Sequence, residues 1–114
     1  MRLNHVALTV ADRERSTAFY ARHFGLDQRV HEDAHLLILA SASGCLLALS
    51  EGTPVVDVPR TTHFGFQCDS VDEVLVARQR FSNDGIVEAE WQDHGPTRVQ
   101  VFDPDGYRVE LYAF

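Results

Sequence analysis

Residues 3–10 alternate in polarity, with Leu3, His5, Ala7 and Thr9 at one set of positions and Asn4, Val6, Leu8 and Val10 at the other. A period of two predicts a half-buried strand, and it puts His5 on the face opposite Val6 and Leu8. The period then lengthens. The segment ADRERSTAFYARHFG (11–25) predicts an amphipathic helix of roughly three turns, with Asp12 placed to cap its start and Gly25 to close its end. Short strands are predicted at 28–31, 35–40 and 45–50, separated by the turn-forming stretches Glu32-Asp33 and 41–44. The order is β, α, β, β, β.

Residues 51–60 hold two prolines and a glycine without sustained periodicity and predict a connector. The pattern then restarts: a strand over 61–68, a helix capped by Asp69 or Ser70 and running to about 82, a closing Asn83-Asp84-Gly85, and strands over 86–91, 97–102 and 107–114. His5 and His63 fall 58 positions apart on corresponding strands, and Asp12 and Ser70 keep the same offset. A duplicated module follows. The expected fold class is α+β, two βαβββ modules forming cupped mixed sheets, with module one at about 1–52, a linker at about 51–60 and module two at about 61–114.

Length and composition agree with one domain and a real core, since 45% of the 114 residues are hydrophobic. Seventeen acidic residues against ten basic ones give a formal charge of −7, and all ten bases are Arg. With no basic stripe to neutralise phosphates, nucleic-acid binding is not expected. Neither a targeting segment nor a membrane-spanning one is expected. Cys45 and Cys68 lie in apolar strand-like runs without CxxC spacing, so buried reduced thiols and a cytoplasmic location are expected.

Parity selects the candidate chemistry. Thr61, His63, Gly65 and Gln67 share one face while Phe64 and Phe66 take the other, and Arg108, Glu110 and Tyr112 share a face on the last strand. Two imidazoles and one carboxylate, His5, His63 and Glu110, form a set able to bind a divalent transition metal (Fe, Mn, Zn or Ni) with positions left open. Arg98, Gln100 and Phe102 share a face, so Arg98 and Gln100 are candidates to meet an anionic or carbonyl-bearing substrate. Leu46, Ala48 and Trp91 are candidate pocket walls. His94, in the loop Asp93-His94-Gly95-Pro96, and Tyr112 are candidates for proton transfer.

The segments LNHVALTV, RSTAFYARHFGL, THFGF and, most specifically, FDPDGYRVELY resemble the vicinal oxygen chelate superfamily over the whole chain. That superfamily includes glyoxalase I, fosfomycin-resistance thiol transferases, extradiol dioxygenases, methylmalonyl-CoA epimerase and bleomycin-resistance proteins. In DPDGYRVEL the Asp103-Pro104-Asp105-Gly106 turn delivers Glu110 onto the last strand. The resemblance implies paired βαβββ units and metal ligands at His5, His63 and Glu110. At the fourth position, where glyoxalase I-like enzymes carry a Glu, this chain has Ala48. A three-ligand count resembles fosfomycin-resistance enzymes and extradiol dioxygenases. Ala7 stands where the fosfomycin enzymes have a pocket threonine, and Arg98 is the one replacement for their phosphonate-gripping cations. The resemblance also implies a homodimer with shared sites, His5 of one chain meeting His63 and Glu110 of the other. The function expected is a divalent-metal-dependent enzyme acting on vicinal oxygens of a small substrate. The alternative is a metal-free bleomycin-resistance-like protein that sequesters a cationic antibiotic.

Overall fold

The computed structural model describes residues 1–114. The chain divides into two compact units, Met1–Val56 and Asp57–Phe114. Unit one contains β1 (His5–Val10), α1 (Arg13–Phe24), β2 (Gln28–Glu32), β3 (Leu37–Ala40) and β4 (Leu46–Glu51). Unit two contains β5 (Phe64–Gln67), α2 (Val71–Asn83), β6 (Glu88–Asp93), β7 (Thr97–Phe102) and β8 (Arg108–Ala113). Each is a βαβββ module with one four-stranded mixed sheet, in the orders β1-β4-β3-β2 and β5-β8-β7-β6. The parallel pairs are β1 with β4 and β5 with β8. The fold class is therefore the α+β one that the repeat predicts.

Both helices form for local reasons. Asp12 is extended and its side chain accepts from Arg15 N, while Gly25 closes α1 at φ 68°, a conformation that costs glycine little. Ser70, rather than Asp69, caps α2 and accepts from Glu73 N. Glu73 reaches back to Asp69 N, a relative of the reciprocal capping box. α1 buries Ser16, Phe19, Tyr20 and His23, and α2 buries Val74, Ala77 and Phe81. These are the spacings of a single helical stripe.

Within unit one the core holds Val10, Leu37, Leu39, Leu47 and Leu49, and within unit two Val99, Val101, Val109 and Leu111. Burial of each such side chain contributes roughly 1.5–3 kcal/mol. Because strand neighbours alternate faces, burying Leu47 and Leu49 leaves Leu46 and Ala48 on the other side of sheet one, and burying Val99 and Val101 does the same for Arg98 and Gln100. Gln100 is nonetheless itself buried.

Several boundaries move. The first strand begins at His5 rather than Leu3, and β5 begins at Phe64, so His63 lies just before its strand. Cys45 and Cys68 flank strands, are free, and are half-buried rather than buried. Burial pushes the Cys68 thiol up. The edge strands carry irregularities that no alternation predicted. Arg29 pairs with Leu39 and His31 with Ile38, leaving Val30 extra. Glu88 pairs with Val101 and Glu90 with Gln100, leaving Ala89 extra. Each is a bulge, and each inverts parity along its strand.

The β2–β3 turn is organised by Asp33. Its Oδ1 accepts from His35 N at 2.7 Å and Leu36 N at 2.9 Å, and its Oδ2 pairs with His31 Nε2 at 2.8 Å. The His35 amide, then His31 and the Leu36 amide, hold the carboxyl down at about 2, against an ordinary 3.8. A depressed carboxyl stabilises the fold above its unfolded pKa, and that stability is lost as pH falls through the folded one. Urea titrations of the wild type between pH 4 and 2 should therefore show a fall in stability that is smaller in Asp33→Asn.

Candidate metal centre

In unit two the parallel pairing sets Glu110 beside Gly65, and the antiparallel pairing sets it beside Gln100 on the other side. Gly65 has no side chain to occupy the space. A Cβ there would lie 3.0 Å from Glu110 Cβ and 3.3 Å from Glu110 O, so the glycine lets the carboxylate stand over the strand. Glu110 is only 8% exposed, and a carboxylate removed from water needs charged or hydrogen-bonding partners. Gln100 Nε2 donates to Glu110 Oε2 at 2.8 Å, and Arg98 Nη1 donates to the same oxygen at 3.2 Å. His63 Nε2 stands 3.4 Å from it.

The histidine's tautomer follows from its other nitrogen. Thr61 O lies 2.9 Å from His63 Nδ1, and because a carbonyl only accepts, Nδ1 carries the proton. With its proton on Nδ1, the neutral tautomer of His63 turns the lone pair of Nε2 toward Glu110 Oε2. Two lone-pair atoms at that separation repel unless a proton or cation lies between them. Donors about 2.1 Å from one divalent ion would be separated by about 3.0 Å at about 90° and about 3.4 Å at about 109°, so this pair is near the spacing of two ligands of one metal. Anchoring of the remote nitrogen is also how ligating histidines are usually held.

Unit one repeats the frame with different contents. Ala7 pairs with Ala48, as Gly65 pairs with Glu110, and His5 precedes Ala7 by two residues as His63 precedes Gly65. Ala48 is therefore the structural counterpart of Glu110. His5, Ala7 and Thr9 are exposed, while Leu46 and Ala48 are half-buried. His5 Nδ1 lies 3.1 Å from Asn4 Oδ1, which leaves Nε2 as the free nitrogen here too. No group of three or more His, Cys, Asp or Glu side chains gathers to hold a metal ion. The ligand-type residues brought together are His63 and Glu110.

A cavity of about 490 Å³ opens over this pair, lined by Arg60, Thr61, His63, Glu90, Arg98, Gln100 and Glu110. Arg98 and Gln100, which parity puts on one face, both line it. Arg98 is committed to carboxylates, donating through Nη2 to Glu90 Oε1 at 2.8 Å as well as to Glu110, and its guanidinium holds the Glu90 carboxyl below the usual range. Arg60, Thr61 and Glu90 are lining residues the sequence reading missed. Glu90 was legible only with the bulge at Ala89, and the connector had no periodicity to place Arg60.

Trp91 is corrected. It packs on the helix-bearing face, with the Arg78 guanidinium 3.9 Å over its ring, and walls no part of this cavity. Arg78 also holds Glu88, Nε to Oε1 at 2.7 Å, so Glu88 and Trp91 share that face across the bulge. Tyr112 lies on the Glu110 face opposite Arg98, half-buried and edge-on to Phe114 at 6.0 Å. His94 sits exposed in the β6–β7 turn, paired with Asp93, and outside the cavity lining. His23 is a buried helix residue tilted against Phe19 at 5.3 Å.

A model of the Glyoxalase/Bleomycin resistance protein/Dioxygenase superfamily matches residues 2–111. The chain belongs to that superfamily. Within it, the chain is 28% identical over 117 residues to the probable trivalent organoarsenical cleaving enzyme of Bacillus subtilis (strain 168), covering 98% of this chain and 80% of that one. The structure of a possible glyoxalase from Bacillus cereus superposes with a TM-score of 0.82 at 30% identity, covering 97% of each chain. The superfamily fold is also shared with the fosfomycin resistance protein FosX from Listeria monocytogenes complexed with Mn(II) and sulfate, with a TM-score of 0.81 at 22% identity over 99% of this chain and 92% of that one.

Gly65→Ala should push Glu110 off its donors, and overpacking of this kind costs about 1–3 kcal/mol. Urea unfolding of the variant should show that loss, and an unchanged midpoint would mean that the Gly65 space is not needed.

Proposed function

We propose that the chain is a divalent-metal-dependent enzyme that chelates neighbouring oxygens of a small substrate, with His5, His63 and Glu110 as its protein ligands. The approach of His63 Nε2 to Glu110 Oε2 at 3.4 Å, with the His63 proton held on Nδ1, carries this reading. His5 enters on its equivalent position in the repeated frame and its free Nε2, in a homodimer with shared sites. Ala48 leaves the fourth position without a donor, so the set is the open, facial kind. That openness favours dioxygenase or thiol-transfer chemistry over isomerisation at a four-ligand glyoxalase centre. When bound, the metal supplies Lewis acidity to two substrate oxygens and to the negative charge that develops on them.

The chain's own groups hold and orient. Gln100 and Arg98 fix the Glu110 carboxylate, and Thr61 fixes the His63 tautomer. Arg60 reaches the cavity with no carboxylate in hydrogen-bonding contact, and it offers its charge to an acidic or carbonyl group of the substrate. Ala7, Leu46 and Ala48 supply small apolar surface on the His5 face of unit one. Tyr112, two residues beyond Glu110 on the same face, is the nearer candidate for proton transfer, and His94 the more distant one. Mn(II) in the FosX neighbour is consistent with a divalent ion in this family.

A metal-free binding protein is the second reading. It is favoured by Arg98, which already gives Glu110 a counter-charge. Metal analysis of protein purified without chelator separates the two. Stoichiometric Mn, Fe, Ni or Zn is expected, and His5→Ala, His63→Ala and Glu110→Gln should each weaken Mn(II) binding by about 100-fold or more. Protein that takes up none of these ions at any concentration refutes the enzyme reading. Arg60→Ala should raise KM for an anionic substrate about tenfold with kcat little changed, since it removes binding shared by ground and transition states.

A further inference from the structure

Arg98 stands between two carboxylates. Its Nη2 donates to Glu90 Oε1 at 2.8 Å, its Nη1 to Glu110 Oε2 at 3.2 Å, and its Nε to Gln92 Oε1 at 3.3 Å. The shorter contact is to Glu90. Glu90 reaches this face because the bulge at Ala89 turns it there, and its partner across the strands is Gln100. Gln100 in turn donates to Glu110 Oε2 at 2.8 Å. The oxygen that faces His63 Nε2 is therefore the one that Arg98 touches.

A guanidinium and a divalent cation cannot both take full advantage of one carboxylate oxygen, because they repel each other at short range. We propose that Glu90 sets the affinity of the His63–Glu110 centre for a divalent cation by drawing the Arg98 guanidinium away from Glu110, and that Arg98 is the counter-charge of Glu110 when no cation is bound. This rests on the metal reading above and adds two positioning residues to it. Neither Glu90 nor Arg98 has to touch the metal. Glu90 acts through Arg98, and removing the Glu90 charge leaves Arg98 with Glu110 as its one carboxylate partner. Cation binding then has to displace a tighter ion pair.

The mechanism predicts a coupling that a direct effect of the Glu90 charge on the metal would not show. Mn(II) affinity is measured on the full chain from the paramagnetic resonance of free Mn(II). The proteins compared are the wild type, Glu90→Gln, Arg98→Gln and the double variant, at one pH and ionic strength, with circular dichroism confirming that each is folded. Glu90 is about a third exposed, so its neutralisation is compatible with folding. Glu90→Gln should weaken Mn(II) binding about tenfold in the wild-type background and by less than about twofold in the Arg98→Gln background. Equal losses in both backgrounds would show that Glu90 acts by its own charge and would overturn the proposal. Unchanged affinity in Glu90→Gln would overturn it as well. Absence of Mn(II) binding by the wild type would instead remove the metal reading, and this inference with it.

Discussion

The placement of a nearly buried carboxylate over a strand position without a side chain governs the rest of unit two's polar face. The parallel pairing of β5 with β8 puts Gly65 beside Glu110, and the missing Cβ makes room for the acid to stand upright. Once there, Glu110 is shielded from water and must be satisfied by protein groups or a cation. β7, its other neighbour, supplies Gln100 and Arg98, and the approach to β5 supplies His63. The register thus dictates which residue types are tolerated at four surrounding positions. It also concentrates the contacts on a single oxygen, so that the imidazole, the amide and the guanidinium all converge on Oε2.

The two modules show how one frame carries different chemistry. Both have a helix capped by a short polar side chain, a parallel pair formed by the first and last strands, and a bulge in the second strand. Where unit two has Gly65 and Glu110, unit one has Ala7 and Ala48. Small apolar residues need no charged partners, so unit one carries no ion-pair network around its counterpart position, and it keeps a ligand-type residue only at His5. The fold is held by features common to both modules, whereas site chemistry depends on a few positions that have diverged. This division fits a superfamily whose members share the architecture at 20–30% identity while being named for different reactions.

Charge sharing is the second theme of the site. Arg98 is raised further above its ordinary value, first by its hydrogen bond to Glu90 and, after the opposing cost of burial, by the one to Glu110, so it stays a cation under any ordinary condition. A permanent positive charge beside the Glu110 carboxylate would oppose any cation bound there unless another acid takes part of it. Glu90 occupies the place from which that can be done. The bulge at Ala89 is what allows it, for with regular alternation Glu88 would share the face of Glu90. Instead, Glu88 goes to Arg78 and Trp91 on the helix side.

The sequence by itself determined the repeat, the order of elements, the cap and close of α1, and the faces shared by Glu110 with Tyr112 and by Arg98 with Gln100, because alternation and capping are local properties of the backbone read over a few residues. Ala48 as the counterpart of Glu110 came from the family resemblance, and the strand pairing of Ala7 with Ala48 agrees with it. Only the tertiary structure decided that Glu90 lines the cavity and Trp91 does not, that His63 lies ahead of its strand, and that Arg98 is bound to two acids. A bulge is created by the partner strand's register, and an ion pair by side chains that meet across strands 8 and 12 residues apart in sequence. Neither leaves a mark in the local pattern of apolar and polar residues.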